Sequence, residues 1–417
     1  MKKVFVISLL LIITAAVFAI TLDFYCLAWQ PAAVDKIYDL VDIWNMDNPD
    51  VQVNIIWGTW ESSDQYLLTS FQGGNAPDVF HTDAEKFREY GMMGYAAPLN
   101  SYVSDEIIGD IPAHIFEDCY DFAGNLYGIP WCQETQVIFY NKDIFEESGI
   151  RLPLDRMISW EELLDIAQRV TKKDENENVI TWGILAPLME RFHWTLIAQK
   201  DGTILTKDSN HKWKVEINEG AIEAIEFYLS LITEHQVMPR DVISIDYTSL
   251  MQGFINGKYA MVTFGCWNRR FLLQNKGFNW GMLLVKNEDN RINASDPQAF
   301  GISKLSKHKD EAFAFIEFMT NTENSAEISY SDYLFPVRES SLEDPRFSSP
   351  ENEWDVAKAW LQYSDNVKPG MPGFYSFEWK LFVPNLEKVI LGNMSLDAAL
   401  KDTVTEGNKM LKKLGLQ

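Results

Sequence analysis

Two patterns of apolar positions alternate along the first hundred residues. Residues 20–27 form a mostly apolar run, broken only by Thr21 and Asp23, which predicts a strand buried on both faces of a sheet. Residues 32–45 carry apolar side chains at helical spacing, and the Asn-Pro-Asp sequence at 48–50 ends that helix. A strand followed by an amphipathic helix is therefore the first predicted unit.

The same alternation continues after this helix. Residues 51–57 predict a second strand, residues 62–72 a second helix, and a Gly-Gly-Asn-Ala-Pro turn at 73–77 leads into a strand at 78–80. Strands that alternate with helices predict an α/β lobe. In such a lobe we expect the ligand at the carboxyl ends of the strands.

A second set of elements follows. Ser159 predicts the N-cap of a helix that runs to Val170, because Glu162 at the third following position completes a capping box. Residues 174–178 are acidic but lack the Gly and Glu that a calcium loop needs, so they predict a solvated hairpin turn. The pattern also predicts strands at 137–140 and 260–264 and helices at 221–233, 310–320 and 396–414.

The N-terminus predicts export. Lys2 and Lys3 precede an apolar run over 4–20, with small residues before position 20, which is typical of a secretory signal peptide at 1–19. An uncleaved anchor helix is the alternative. It is less favoured because the run is short for a membrane span and no charged stop follows. Cys26 falls inside the next apolar run rather than in a lipobox, so we expect no lipid anchor.

The composition argues against some classes of binding partner. The 417 residues include 60 Asp or Glu and 36 Lys or Arg, a net charge of −24 that argues against nucleic acid or anionic lipid. The length suggests two or three domains. The four cysteines (Cys26, Cys119, Cys132 and Cys266) permit disulfides or buried free thiols, and no CxxC motif occurs.

Sequence signatures of enzymes are missing. There is no GxGxxG, GxxxxGK[ST], HExxH or GxSxG motif, and the six histidines never pair at a metal-binding spacing. We expect no cofactor and no metal. The many Asp and Glu residues do not exclude a glycosidase, because sequence alone does not give the distance between two carboxylates.

Tryptophans stand where predicted strands end. The chain has 14 of them, and five follow a strand or a tight turn: Trp29, Trp57, Trp60, Trp131 and Trp267. A flat aromatic ring suits the apolar C–H face of a sugar, while carboxylates and amides suit its hydroxyls. Core packing is the plain alternative for each ring taken singly.

The order of several segments resembles the family 1 extracellular solute-binding proteins of ABC importers, the group typified by periplasmic maltose-binding protein. The matching segments span nearly the whole chain after the signal, and their shared order is specific although no single match is decisive. They are 74–80 (GNAPDVF), 94–99 (GYAAPL), 127–130 (YGIP), 137–145 (VIFYNKDIF), 149–150 (GI), 159–163 (SWEEL), 254–261 (FINGKYAM), 265–267 (GCW), 300–303 (FGIS), 336–338 (PVR) and 392–400 (GNMSLDAAL).

The resemblance implies a two-lobed α/β fold of the type II periplasmic binding protein class. Each lobe is then a mixed sheet flanked by helices, with the ligand cleft at a hinge. It implies an N-terminal lobe of residues 20–132 with 297–336 and a C-terminal lobe of residues 133–296 with 337–417. The chain would cross near Cys132–Glu134, near Pro297–Gly301 and near Pro336.

The resemblance also implies ligand-binding residues. Glu134 matches the hinge carboxylate that accepts hydrogen bonds from sugar hydroxyls, Trp267 matches a stacking tryptophan, and Trp379 falls near a second stacking position. Glu134 could instead form a hinge salt bridge, and Trp379 could be a buried anchor. The expected set is completed by Trp29, Trp60 and Asp83 in strand-end loops, by Gly301, and by the arginines Arg191 and Arg269.

The arginines are a departure from the family pattern. Arg191 stands where maltose-binding relatives carry a stacking Tyr, and Arg269 and Arg270 follow Trp267 closely. A guanidinium stacks on a sugar but also binds carboxylate or phosphate. Uronates, sugar phosphates and glycerol phosphate therefore stay open as ligands, and surface salt bridging stays open as the plain alternative.

The resulting expectation is a secreted, monomeric, non-enzymatic receptor outside the cytoplasmic membrane. It would capture a mono- or oligosaccharide by closure of the two lobes and deliver it to an ABC transporter permease. The alternatives are the same receptor with an anionic sugar derivative, or a secreted carbohydrate-active enzyme.

Overall fold

The fold is known from a computed structural model, which describes residues 19–27 and 30–417. The predicted signal peptide at 1–19, apart from its last residue, lies outside the described residues, and so does Trp29. The strands are β1 Ile20–Cys26, β2 Val51–Trp57, β3 Val79–Asp83, β4 Ile129–Gln133, β5 Gln136–Asn141, β6 Met157–Ser159, β7 Lys172–Lys173, β8 Val179–Thr181, β9 Leu205–Lys207, β10 Trp213–Val215, β11 Met261–Gly265, β12 Trp280–Lys286, β13 Asn293–Ala294, β14 Gln298–Ile302, β15 Phe335–Pro336 and β16 Ser364–Asp365.

Helices cover both sheets described below. They are α1 Pro31–Asp47, α2 Trp60–Gly73, α3 Ala84–Met92, α4 Asp105–Gly109, α5 Ala113–Glu117, α6 Lys142–Glu147, α7 Trp160–Val170, α8 Phe192–Gln199, α9 Glu219–Thr233, α10 Tyr247–Ile255, α11 Arg269–Leu273, α12 Lys309–Met319, α13 Thr322–Ser331, α14 Glu339–Leu342, α15 Trp354–Trp360, α16 Phe374–Phe377, α17 Val383–Ile390 and α18 Leu396–Lys413. A π-helical turn, Glu378–Phe382, joins α16 to α17.

The first lobe is built on a six-stranded sheet in the order β15-β4-β14-β3-β1-β2. β1 is parallel to both β2 and β3, whereas β14 is antiparallel to β3 and β4. A buried core packs on this sheet and draws side chains from the stretches 22–132 and 299–337. The sheet is thus mixed, with its strands taken from two distant parts of the chain.

The second lobe is built on a four-stranded sheet in the order β11-β5-β12-β6. β5 is antiparallel to β11 and β12, and β12 is parallel to β6. Its core draws mainly on the stretches 137–285 and 347–411. Two mixed sheets, each with its own core and covering helices, confirm the predicted two-lobed α/β fold.

Most predicted elements are confirmed to within a few residues. β2 spans the predicted 51–57, and α7 begins after Ser159, whose side chain and that of Glu162 form the capping box. Residues 174–178 form the turn between the antiparallel strands β7 and β8, where the Asp174 carboxylate accepts the backbone N–H groups of Asn176 and Asn178. The hairpin prediction is therefore confirmed.

Within the described residues no helix is long and apolar enough to cross a membrane. Cys26, Cys119, Cys132 and Cys266 are all buried, and within the described residues none of them forms a disulfide. Burial raises the pKa of the Cys119 and Cys132 thiols well above the ordinary value, so both stay protonated at neutral pH. Of the two alternatives for the cysteines, disulfides or buried thiols, the structure agrees with buried thiols.

Candidate functional site

The chain passes directly from one sheet to the other at Glu134 and Thr135, the two residues between β4 and β5. Neighbouring loops hold this crossing in place. Ser295 donates a hydrogen bond to the backbone oxygen of Glu134 at 2.5 Å, and Asn293 donates to Thr135 Oγ1 at 2.8 Å. Because Ser295 precedes β14 of the other sheet, two chain crossings lie side by side here.

The Glu134 carboxylate is buried at the crossing between the two sheets. The residue is only 4% exposed. Gln136 Nε2 donates to Oε1 at 3.1 Å, and Arg191 Nη1 lies 3.0 Å from the same oxygen. Burial raises the pKa of Glu134, and the Arg191 charge and hydrogen bonds from Gln136 and Trp267 oppose that rise. A buried carboxylate that is held by several donors is suited to accept a hydrogen bond from a hydroxyl group.

Trp267 is the aromatic partner of Glu134. It follows β11, is half-buried and packs against both hydrophobic cores. Its ring stacks on Tyr247, with centroids 6.0 Å apart and planes at 28°. A Cβ on Gly265 would collide with both the Glu134 carboxylate and the Trp267 indole, so a glycine is needed at this position. The indole and the carboxylate therefore form one fixed unit at the junction of the lobes.

Arg191 begins an ion-pair chain that leads away from Glu134. The guanidinium contacts both Glu134 and Asp296, Lys368 Nζ lies 3.6 Å from Asp296, and the same ammonium lies 2.9 Å from Glu85. Glu85 belongs to α3 of the first lobe, whereas Lys368 belongs to the second. We call Glu134, Arg191, Asp296, Lys368 and Glu85 the charge ladder.

The charge ladder perturbs the acids around it. Burial favours the neutral form of Glu85, but the charge of Lys368 outweighs burial and lowers the pKa of Glu85 to about 2. Glu190, next to Arg191, has its pKa raised to about 8 by burial and by the charge of Glu134. Asp83, at the end of β3, has a raised pKa because burial outweighs the attraction of Lys368 and Arg191. The two cations of the ladder, Arg191 and Lys368, are outnumbered by acidic side chains in and beside it: Glu85, Glu134, Asp296, Asp83 and Glu190.

Trp60 lies on the first-lobe side, at the start of α2. Its ring meets His81 edge-on, with centroids 5.6 Å apart. Burial lowers the pKa of His81 to about 4, so its imidazole is neutral. The Leu27 N–H donates to Nδ1 at 3.2 Å, which leaves Nε2 as the donor to Gln298 at 2.9 Å. Trp60 is thus held against a neutral, fixed ring.

Arg269 does not belong to the group of residues around Glu134. It is 0% exposed, and its guanidinium stacks 3.8 Å from the centre of the Trp354 ring. It donates to the backbone oxygens of Cys266 and Tyr333 at 2.8 and 3.0 Å. The guanidinium is thus buried between the Trp354 ring and the backbone of Tyr333, so neither a ligand contact nor a surface salt bridge describes these contacts.

Gly301 and Trp379 are two more residues of the expected ligand-binding set. Gly301 is buried in β14, where a Cβ would collide with Phe87 and the backbone oxygen of Tyr127, so this glycine permits close packing. Trp379 is half-buried beside Tyr375, with centroids 6.2 Å apart. The structure brings together Asp83, Glu134, Arg191 and Trp267, places Trp60 on the adjoining first-lobe edge, and keeps Arg269 and Gly301 in the interior.

Several residues of this region carry no sequence motif: Glu85, Glu190, Asp296, Lys368 and Glu378. Trp194 Nε1 donates to Glu378 at 2.6 Å, and burial raises the pKa of that carboxyl. Their only signal in the sequence is their charge. No group of three or more candidate metal ligands occurs within the described residues.

Comparison with known proteins agrees with this architecture. Residues 28–326 match the family described as bacterial extracellular solute-binding protein. A lipoprotein of Streptomyces antibioticus is 28% identical over 82% of this chain and 75% of its own length. The maltotriose-binding protein of Pyrococcus abyssi is 22% identical over 77% of this chain and 67% of its own.

Solved structures share the fold. An ABC substrate-binding protein from Listeria monocytogenes, in complex with cycloalternan, has a TM-score of 0.80 at 23% identity, covering 94% of this chain and 99% of its own. The GacH receptor of Streptomyces glaucescens, solved without ligand and with acarbose, has a TM-score of 0.78 at 20% identity, covering 94% and 99%. With a family match over most of its length, this chain belongs to the bacterial extracellular solute-binding proteins.

Proposed function

We propose that this protein is an extracytoplasmic receptor that binds an uncharged mono- or oligosaccharide between its lobes and delivers it to an ABC transporter permease. The proposal rests first on the Glu134–Trp267 unit. A sugar needs an apolar plate for its C–H face and a desolvated acceptor for its hydroxyls, and these two side chains offer both at the junction of the lobes.

The family supports the proposed role. Its members are described as extracellular solute-binding proteins, and one relative is named a maltotriose-binding protein. Export by the signal at 1–19, a monomeric state, the lobe boundaries at 20–132 with 297–336 and at 133–296 with 337–417, and the permease as partner all belong to the proposal. Binding in both lobes would favour their closure.

The charge around Glu134 favours a neutral ligand over an anionic one. Arg191 contacts two carboxylates, Glu134 and Asp296, and Lys368 lies between Asp296 and Glu85. A ligand carboxylate or phosphate would have to displace one of these buried pairs and then face an excess of acids. Hydroxyl groups meet no such repulsion.

The test compares two tryptophan variants. Trp280 is a matched control, because it pairs with Asn141 at the far end of β5, about 17 Å along the strand from Gln136. We expect Trp267→Ala to weaken sugar binding by roughly tenfold or more, and Trp280→Ala to leave the dissociation constant unchanged. Calorimetry on both variants, after a thermal-shift screen of sugars, sugar acids and sugar phosphates, measures this.

The outcomes separate the alternatives. An unchanged dissociation constant for folded Trp267→Ala would remove that residue from the site. Stabilisation by sugar acids or phosphates alone would replace the neutral ligand with an anionic one. Chromatography of the incubated sugars checks the remaining alternative, since new products would identify an enzyme, whereas unaltered sugar agrees with a receptor.

A further inference from the structure

Several contacts join the lobes within the described residues, and two sets of them adjoin the Glu134–Trp267 unit, one through the charge ladder and one through α11. One is made by residues 364–375, which we call the strap. The other is made by Arg270, which follows Trp267 by three residues and is already within α11.

The strap leaves the second lobe at β16, which pairs with β13, and packs along α3 of the first lobe. Asn366 Nδ2 donates to Asp118 at 2.8 Å, Lys368 Nζ lies 2.9 Å from Glu85, and Arg88 donates to the backbone oxygen of Gly370 at 3.2 Å. The Lys86 ammonium lies 4.6 Å above the centre of the Tyr375 ring. Successive residues of the strap therefore close this side along the length of α3.

The charge ladder fills the space between the strap and Glu134. The side chain of Lys368 is 8% exposed and that of Asp296 is 6% exposed. Consecutive members of the ladder lie within ion-pair distance from Glu134 to Glu85. A sugar ring passing this way would separate buried charges and leave them unpaired, which is strongly unfavourable.

The second link lies on the Trp267 side. Arg270 Nη1 donates to Gln30 Oε1 at 2.6 Å. Gln30 precedes α1 of the first lobe, is 1% exposed, and its Nε2 donates to the backbone oxygen of Asp332 at 3.0 Å. This amide is therefore held on both sides, and the Arg270 contact fastens the lobes together beyond Trp267.

We propose that the ligand is enclosed whole between these two links and is a monosaccharide or a disaccharide. Because both exits are occupied by buried polar contacts, the interior of a longer chain or a cyclic oligosaccharide does not fit while the lobes are joined. This inference rests on the proposed function and narrows its ligand class. The Listeria structure of the same fold, by contrast, holds cycloalternan.

Calorimetry on the full chain, with sugars of increasing length, tests the limit of two rings. The probes are glucose, maltose, maltotriose, maltohexaose and α-cyclodextrin, and the mono- to tetrasaccharides of galactose and arabinose. We expect binding by a monosaccharide or a disaccharide and at least tenfold weaker binding for each series beyond two rings. Affinity that rises with the third and fourth ring, or binding of α-cyclodextrin, would overturn the size limit but keep the receptor. No binding by any probe would overturn both.

Variants of Lys368 and Arg270, one from each link, provide a second test of the size limit. We expect Lys368→Ala or Arg270→Ala to open one exit and to raise the affinity for a trisaccharide, relative to a disaccharide, by tenfold or more. Arg169→Ala is the matched control, because Arg169 is exposed and, among the residues that the structure describes, pairs with Asp165 and nearby backbone oxygens. Circular dichroism checks folding, and the two ends are tested independently in case one variant is unstable. An unchanged ratio in folded variants of both ends would contradict the proposal.

Discussion

Replacing Gly265 with alanine tests the site without removing any group from it. Gly265 has φ −62° and ψ 146°, which any L-residue adopts, so the substitution brings no backbone strain. An added Cβ would lie well inside van der Waals contact of Glu134 Oε2 and of Trp267 Nε1. The carboxylate is held by Arg191 and Gln136 and cannot turn into solvent. The methyl group must therefore push the indole and the carboxylate apart.

The size of the effect follows from what Glu134 would give to a sugar. A hydrogen bond to a charged acceptor contributes about 1.5–3 kcal/mol, so its loss weakens binding by roughly ten- to a hundredfold. Crowding the buried region also costs about 1–3 kcal/mol of folding free energy. We therefore expect a folded but slightly less stable protein with a much larger dissociation constant.

Calorimetry with the best sugar from the screen, together with thermal melting by circular dichroism, measures both effects. Gly109→Ala is the matched control, because a Cβ there meets no atom within 4 Å and the residue lacks a positive φ. If Gly265→Ala is folded and binds with the wild-type dissociation constant, then Glu134 and Trp267 do not hold the ligand.

Two further predictions concern buried charges. Burial raises the pKa of Asp332 to about 8 against the charge of Arg270, so this carboxyl stabilises the fold fully below about pH 4 and that contribution is lost as the pH rises towards 8. Asp332→Asn should flatten the fall in melting temperature over that window, and an unaltered slope would contradict the assignment. Arg269→Lys should lower the free energy of unfolding by about 2 kcal/mol through loss of its stacking on Trp354. The ratio of affinities for neutral and anionic sugars should stay the same, and a changed ratio by calorimetry would place Arg269 in the site.

Local patterns in the sequence predicted most of the elements of the fold. The capping box at Ser159, the strand at 51–57 and the first helix each depend on neighbours within one turn or one strand, and the structure confirms all three. The order of short motifs added the two-lobed architecture. The three local features are readable because the interactions that specify them connect residues close together in the chain.

The surroundings of the candidate site could not be read in this way. Arg269 and Arg191 are equally plausible ligand contacts in the sequence, yet the first stacks on Trp354 in the interior and the second contacts Glu134 and Asp296. Glu85 and Lys368 are 283 positions apart and meet only because a strap from one lobe reaches a helix of the other. The charge of each residue is set by its sequence, whereas its partner, its burial and hence its pKa depend on which distant segments fold against it. By itself the sequence determined the class of fold and the hinge carboxylate as a candidate; the tertiary structure decided which charges surround that carboxylate, because ion pairing depends on distance in space and not along the chain.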